Sequence, residues 1–191
     1  MKQKGLIFGI GVNDLGYPVK DCPFYARWKY MHRRCYHTLT HGLMPTYNDK
    51  TVHPDWHLAS NFKAWMETQD WQGKELDKDL LIPGNKVYSA ETCCFVTKEV
   101  NYFMTERQNH RGDYPIGVHW SKKDKVFVAA VSVFGKQTYL GGYDTPEEAH
   151  QAWLDKKIEM AYALASQQSD PRVAAALIDR YENYHKYFGD I

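Results

Sequence analysis

The chain has 191 residues, enough for one large domain or two small ones. A hydrophobic content of 43% and an aromatic content of 15% allow a packed core and exclude wholesale disorder. A membrane span is not expected, because no run approaches the roughly 18–20 consecutive apolar residues that a span requires. The N-terminal residues lack the long apolar segment and cleavage site of a signal peptide, so an intracellular protein is expected.

Charge is unevenly distributed along the chain. The formal net charge is only +1. Acidic residues gather in residues 145–191, which leaves the rest of the chain mildly basic. This distribution permits a local phosphate-binding surface but does not by itself indicate one.

The four cysteines are expected to be buried thiols. They are Cys22, Cys35, Cys93 and Cys94. Disulfides are not expected in an intracellular chain. The spacing lacks the two close ligand pairs typical of a zinc site, and adjacent residues on a strand point to opposite faces. Thiols acting as small hydrophobic groups are the favoured interpretation.

The clearest helix signal lies in residues 23–37, where Pro23 occupies the first-turn position that suits proline. An apolar stripe at i, i+4, i+7 and i+11 is expected to face a core. The stripe consists of Phe24, Trp28, Met31 and Cys35. Arg33 and Arg34 lie off the stripe, on a face that is either solvated or phosphate-binding.

The next predicted elements are a loop, a helix, a hairpin and a second helix. Residues 38–54 are rich in turn-forming residues and predict a long loop, followed by a short helix within residues 57–69. A hairpin is predicted from a strand at Leu76–Leu81 and a return strand at Lys86–Tyr88. A helix is then predicted from Thr97 to Arg107.

The second half predicts three strands and two helices. Residues 108–115 are polar and end in proline, which marks a candidate linker. Three strand-like runs follow in residues 116–143. A cap, a proline and two acidic residues in the segment 144–148 predict the start of a helix that runs to about Ala165. A last helix is predicted to open at Asp170.

Residues 76–101 carry the most informative pattern, with acidic residues on a predicted strand and an amide on the following helix. One-metal nucleases place an ion at such a point and supply few protein ligands, so that the scissile phosphate completes the shell. The run from Trp28 to Asn101 resembles the HNH homing endonucleases of phages. The resemblance rests on a W..M..RCY helix from Trp28, a W…SNF..W segment from Trp56 and the string LDKD…GNKVYS.ETC.FV..E.N.

The resemblance implies roles for particular residues. Asp77 is the expected acid ligand and Asn101 the expected amide ligand of one Mg²⁺ or Mn²⁺ ion. Asp77, Lys78 and Asp79 are the candidate catalytic residues. Expected phosphate contacts in this part of the chain are Arg33, Arg34 and Lys86. Asn85 lies in the GNK turn, and Glu91 holds a position that we interpret as structural.

Lys78 departs from the family pattern, which normally has a histidine after the acid as the general base. A protonated lysine cannot accept a proton, and the reference pKa of lysine is near ~10.4. Asp79 or a histidine from elsewhere is a possible substitute; the histidines nearest in sequence are His53, His57 and His110. Alternatively, Lys78 binds phosphate in a degenerate nuclease that no longer cuts.

Residues 116–165 resemble the APETALA-type DNA-binding domain of plant ethylene-response factors, which also occurs in phage HNH nucleases. The residues that carry this resemblance are Gly117, Val118, Leu140, Gly141, Tyr143, Asp144, Thr145, Glu147, Glu148, Ala149 and Ala152. The family places a three-stranded sheet, packed on a helix, in the DNA major groove. The matching base-reading positions are His119, Ser121, Lys123, Lys125, Ala129 and Val131. Lysines suited to phosphates are Lys122, Lys123, Lys125 and Lys136.

The sequence therefore predicts an α+β protein with two domains. Residues 1–110 are expected to form a ββα-metal (HNH-like) core with flanking helices. Residues 111–191 are expected to form a three-stranded antiparallel sheet packed on a helix, with a C-terminal helix. The expected function is metal-dependent cleavage of duplex DNA, in the host cytoplasm if the chain is phage-encoded. The alternatives are a non-catalytic DNA-binding regulator and a protein-binding module with aromatic anchors.

Overall fold

The computed structural model describes residues 5–43, 45–105, 113–133 and 135–189. Helices and small sheets are mixed along the chain, which confirms the predicted α+β class. The chain divides into two compact units, Met1–Thr97 and Lys98–Ile191. The sequence instead predicted a division between residues 110 and 111, and residues 106–112 around it lie outside the described residues.

Helix α1 of the first unit begins at Pro23 and ends at Tyr36, as the sequence predicted to within one residue. Three of the four stripe residues, Trp28, Met31 and Cys35, are buried. Two shorter helices follow, α2 (Thr38–Leu43) and α3 (Ala59–Glu67). The predicted loop at residues 38–54 thus contains a short helix, because packing against α1 overrides weak local propensity.

The described residues of the first unit also form four short strands. They are β1 (Thr51–Val52), β2 (Glu75–Asp77), β3 (Val87–Tyr88) and β4 (Cys94–Val96). β2 pairs with β4 in antiparallel register, and β1 pairs with β3 in parallel register. The predicted hairpin between residues 76–81 and 86–88 is therefore wrong. The chain leaves the strand directly after Asp77, whose Oδ1 accepts the backbone N–H groups of Asp79 and Leu80 and closes a turn.

A fully buried histidine lies in the core of the first unit. His32 Nδ1 donates to the carbonyl oxygen of Trp28 at 3.0 Å, and its ring centroid lies 4.4 Å from that of Trp28. No hydrogen-bond partner for His32 Nε2 is found among the described residues. Burial lowers the pKa of His32 to about 4, so this side chain is neutral in the folded protein at neutral pH.

We expect acid to destabilise the first unit through His32. The pKa is near 4 when folded and near 6.5 when unfolded, so the unfolded chain binds the proton more tightly. Stability contributed by the neutral imidazole is complete above pH 6.5 and is lost as the pH falls towards 4. The loss is about 3 kcal/mol, from the difference between the two pKa values.

Urea unfolding of the wild type and of His32→Phe between pH 4 and 7 measures this effect. The wild type is expected to lose about 3 kcal/mol more than the variant over this range. His53→Phe, at a half-exposed histidine of the same unit, is the matched control. Equal pH dependence in the wild type and His32→Phe would contradict the assignment.

The described residues of the second unit form one sheet and four helices. Its elements are α4 (Lys98–Met104), β5 (Val118–Ser121), β6 (Val126–Val133), β7 (Lys136–Tyr143), α5 (Pro146–Ala165), α6 (Pro171–Glu182) and α7 (Tyr184–Phe188). The strands form an antiparallel sheet in the order β5-β6-β7, packed on α5. The three predicted strands and the predicted helix to Ala165 are confirmed.

Helix α5 begins where the sequence predicted. The Thr145 side chain accepts the N–H of Glu148, and the Glu148 side chain accepts the N–H of Thr145, which together form a capping box. Trp153 of this helix is buried and lies against Gly117, next to the sheet. Gly117 has φ +83°, and a Cβ there would lie 2.1 Å from Trp153 Cδ1, so only glycine fits.

The face of β6 that packs on α5 is not the one that the sequence prediction left for the helix. Ala129 and Val131 are 0% and 2% exposed, on the face that packs on α5. Their predicted role in reading bases is therefore wrong. The helix needed an apolar face, and sequence alternation alone could not show which of the two faces of β6 it would cover. The residues that point the other way on β6 are Val126, Val128, Ala130 and Ser132.

Three side chains hold the C-terminal end of α4 within the second unit. The buried Lys157 Nζ donates to the Phe103 carbonyl oxygen at 3.0 Å and lies 3.7 Å from the centroid of the Phe103 ring. Tyr181 also donates to the Phe103 carbonyl, and Arg180 donates to that of Met104. These donors satisfy carbonyls that have no partner inside the helix and complement its negative end.

Candidate active site and nucleic-acid interface

The candidate active site lies where β2 ends. Asp77 is the last residue of β2, and its Oδ1 accepts the N–H groups of Asp79 at 2.9 Å and Leu80 at 2.7 Å. The turn therefore fixes the Asp77 carboxylate and sets Asp79 beside it. A short strand whose last side chain also closes the following turn explains why these two acids come together.

The two carboxylates are electrostatically coupled. Burial raises the pKa of Asp77, and the neighbouring charge of Asp79 raises it further. The Asp79 side chain is 48% exposed, so the pair opens to solvent on the Asp79 side. A divalent cation would relieve the repulsion between the carboxylates, and Mg²⁺ commonly binds through one or two carboxylates plus waters and phosphate oxygens.

Lys78 lies between Asp77 and Asp79 in the sequence. Its side chain is buried and contacts two acceptors. Its Nζ lies 2.8 Å from Asp79 Oδ2 and donates to the Asn85 carbonyl oxygen at 3.2 Å. Its side chain is 7% exposed. Lys78 thus serves as the counterion of Asp79 and links the two sides of the loop. These contacts use Lys78 as a donor, which is the opposite of a general base.

The Asn85 side chain also holds this loop closed. Its Nδ2 donates to the carbonyl oxygens of Lys78 and Val87, each at 2.7 Å, and its Oδ1 accepts the N–H of Val87 at 3.2 Å. Lys78 and Asn85 therefore bond to each other twice, once through each side chain. The GNK turn therefore holds the loop between Lys78 and Val87 together rather than offering the Asn85 side chain to a ligand.

Arg34 lies among tyrosines beside this site. Its guanidinium carbon is 4.3 Å from the Tyr30 ring centroid and 5.1 Å from that of Tyr47. Burial acts to lower the pKa of Arg34, but interactions with the phenol groups of Tyr47 and Tyr88 outweigh it and the pKa is raised. The charges of Asp77 and Asp79 act on Tyr47, which places its hydroxyl in the same electrostatic neighbourhood.

The sequence missed this tyrosine cluster. Tyr47 fell in the predicted loop, and Tyr30 lies off the apolar stripe of α1, so periodicity carried no signal for either. The other two expected phosphate contacts differ from Arg34. Both are exposed, and the Lys86 Nζ lies 2.8 Å from Asp49 Oδ2.

The predicted metal ligands Asp77 and Asn101 lie in different units, since Asn101 belongs to α4. Within the described residues, no group of three or more histidine, cysteine or acidic side chains could hold a metal ion. Among the substitute bases, His53 accepts the N–H of Asp55, and His57 Nε2 donates to the Val52 carbonyl. His110 lies outside the described residues. Asp77 and Asp79 remain the residues that fit a cation.

Three of the four cysteines are buried, as expected. They are Cys35, Cys93 and Cys94; Cys22 is partly exposed, and none of the four cysteines forms a disulfide. Burial raises the pKa of Cys35 and of Cys93 to about 12 in each case. These thiols are therefore protonated at neutral pH and act as small core groups.

The candidate nucleic-acid interface lies on the sheet of the second unit. Lys122, Lys123 and Lys125 occupy the turn between β5 and β6, and Lys136 begins β7; all four are exposed. His119 is also exposed, on β5. Ser121 is partly committed, because its Oγ donates to Asp124 Oδ2 at 2.8 Å and accepts the N–H of Asp124.

Comparisons with known proteins add no family to this picture. A scan against protein-family models found no match, and searches of curated proteins and of solved structures found no match either. Among the described residues, no helix combines the length and the apolar character needed to cross a membrane.

Proposed function

We propose that this protein binds duplex DNA through the sheet of its second unit and cleaves it as a metal-dependent endonuclease of the HNH type. The observation that carries the proposal is the arrangement of the sheet. One face packs on α5, and four exposed lysines lie at the ends of the strands, three in the β5–β6 turn and Lys136 at the start of β7. A major groove is wide enough for such a β-structure, and lysines contact phosphates as point charges.

The catalytic part of the proposal depends on the carboxylate pair. Asp77 and Asp79 would hold one Mg²⁺ or Mn²⁺ ion, which stabilises the leaving oxygen of the scissile phosphate when bound. Arg34 and Tyr47 lie in the same electrostatic neighbourhood and supply positive charge and a hydroxyl donor for a phosphate oxygen. Asn101, which the family resemblance implies as a ligand, belongs to the second unit and is not assigned to this ion.

A second candidate function is DNA binding without cleavage. The contacts of Lys78 favour it, because the residue in the position of the family's general base is a buried donor bound to Asp79 and Asn85. In that case the first unit would keep the scaffold of a nuclease, and the second unit would retain the DNA-binding activity.

We expect DNA binding to depend steeply on salt. Each phosphate neutralised by a lysine should contribute a slope of about −0.9 to the logarithm of the affinity against the logarithm of salt concentration. The double change Lys122→Gln with Lys123→Gln should reduce the magnitude of the slope by up to about 1.8, or 0.9 for each contact removed. Fluorescence anisotropy with a labelled duplex measures both the slope and the affinity.

Lys156→Gln is the matched control, since Lys156 lies on α5 and pairs with Glu159 in the same unit. Its slope should equal that of the wild type. Absence of binding at low salt, or binding that salt does not weaken, would overturn the proposed function.

A further inference from the structure

The face of the sheet opposite α5 is apolar in its middle. Strand alternation places Val126, Val128 and Ala130 of β6 on this face; Val128 is only 7% exposed, whereas Val126 and Ala130 are partly exposed. Gly142 of β7 pairs with Val128, and a Cβ at Gly142 would lie 2.8 Å from Val126 Cγ2. The Tyr139 hydroxyl would lie 3.5 Å from the same Cβ, so Tyr139 partly covers the middle of the face, and the partly exposed Val126 and Ala130 are the apolar residues that the edge of a base pair can reach.

Polar and aromatic side chains surround the apolar residues Val126, Val128 and Ala130, which we call the floor of this face. Tyr139 pairs with Ala130 and is 68% exposed, and the exposed Gln137 pairs with Ser132 two residues further along β6. His119 lies across the floor on β5, opposite Val128. At the Ser132 end the face is bordered by α4, whose Tyr102 hydroxyl lies 3.4 Å from Ser132 Oγ.

No arginine of the second unit's described residues belongs to the sheet. Arg172 and Arg180 are both in α6. Arginine or lysine bound to guanine O6 and N7 is the commonest specific base contact in the major groove. The four lysines occupy the β5–β6 turn and the start of β7 rather than the floor, so the floor itself lacks the usual means of reading G·C pairs.

We infer that this face selects A·T base pairs in the major groove, an inference that rests on the proposed DNA-binding function. Gln137 carries the donor and acceptor that pair with adenine N7 and N6. Val126 and Ala130 offer apolar contacts to the thymine methyl group, which guanine and cytosine lack. The lysines then fix the position on the backbone without adding sequence preference.

Selection from a random duplex library, with the full-length protein, is the first test. The selected sites should contain a short A·T-rich stretch. Replacing thymine by uracil in that stretch removes only the methyl groups and should weaken binding several-fold. Sites without A·T enrichment would overturn the inference while leaving the proposed DNA binding intact, whereas failure to bind any duplex would overturn both.

Single substitutions then test Gln137 directly. Gln137→Ala should reduce discrimination against G·C at one base pair by about 5- to 150-fold, the range for one good bidentate contact. Gln137→Arg should move the preference at that pair towards guanine. Thr138→Ala is the matched control, since Thr138 is the exposed neighbour on the opposite face and pairs with buried Val131. An unchanged preference in both Gln137 variants would contradict the assigned contact.

Discussion

Asp77→Asn is expected to abolish Mg²⁺-dependent nicking of supercoiled plasmid while duplex binding survives. The asparagine keeps a side-chain oxygen that can accept the N–H groups of Asp79 and Leu80, so the turn after β2 is preserved. It removes the negative charge that would hold the cation. We expect a loss of about 100-fold or more, the usual effect of deleting one electrostatic stabiliser of a transition state.

The control for this experiment is Asp55→Asn, at an exposed acid of the same unit. It should nick at the wild-type rate. Anisotropy with a labelled duplex should give the same affinity for all three proteins, which separates cleavage from binding. If Asp77→Asn cuts as fast as the wild type in both Mg²⁺ and Mn²⁺, the carboxylate pair is not the metal site.

Lys78→His is expected to create or increase Mg²⁺-dependent nicking. A neutral imidazole can take a proton from water, whereas the Lys78 ammonium donates to Asp79 and Asn85. General bases contribute roughly 100- to 10,000-fold to rates, so the gain should be large if the remaining site is intact. Lys63→His, on α3 of the same unit where Lys63 pairs with Glu67, should leave nicking unchanged.

Lys78→Met separates catalysis from structure. It removes the donor to the Asn85 carbonyl and should lower the free energy of unfolding by about 1–3 kcal/mol, because a partly buried acceptor loses its partner. Thermal unfolding of each variant detects this loss. Efficient cutting by the wild type at neutral pH, with no gain in Lys78→His, would mean that Lys78 or another residue already serves as the base and would exclude the non-catalytic alternative.

Elements with strong local signals were predictable from the sequence. The proline start and apolar stripe of α1, the capping box of α5 and the three strands of the sheet all combine a boundary residue with a clear period. The short strands of the first unit were not predictable in the same way. β3 pairs with β1 from the predicted loop, and strands of two or three residues carry too little periodicity to reveal a distant partner.

The candidate site was predictable only in part. Resemblance pointed to Asp77, Lys78 and Asp79, and the structure brings these three together. It could not show that Lys78 is buried and tied to Asn85, since that contact depends on how the loop closes. The wrong prediction that Ala129 reads bases has the same origin. Alternation assigns the side chains of β6 to two faces, and only the position of α5 decides which face packs on the helix.

The donors around the C-terminal end of α4 affect where the chain can be divided into two separately expressed fragments. Lys157, Tyr181 and Arg180 all come from α5 or α6 and bind the last carbonyls of α4. A fragment ending at residue 110 would carry α4 away from these donors and leave Lys157 without its carbonyl partner. Cleavage after Thr97 keeps the helix with all three, so it is the better place to divide the protein for separate expression of the two halves.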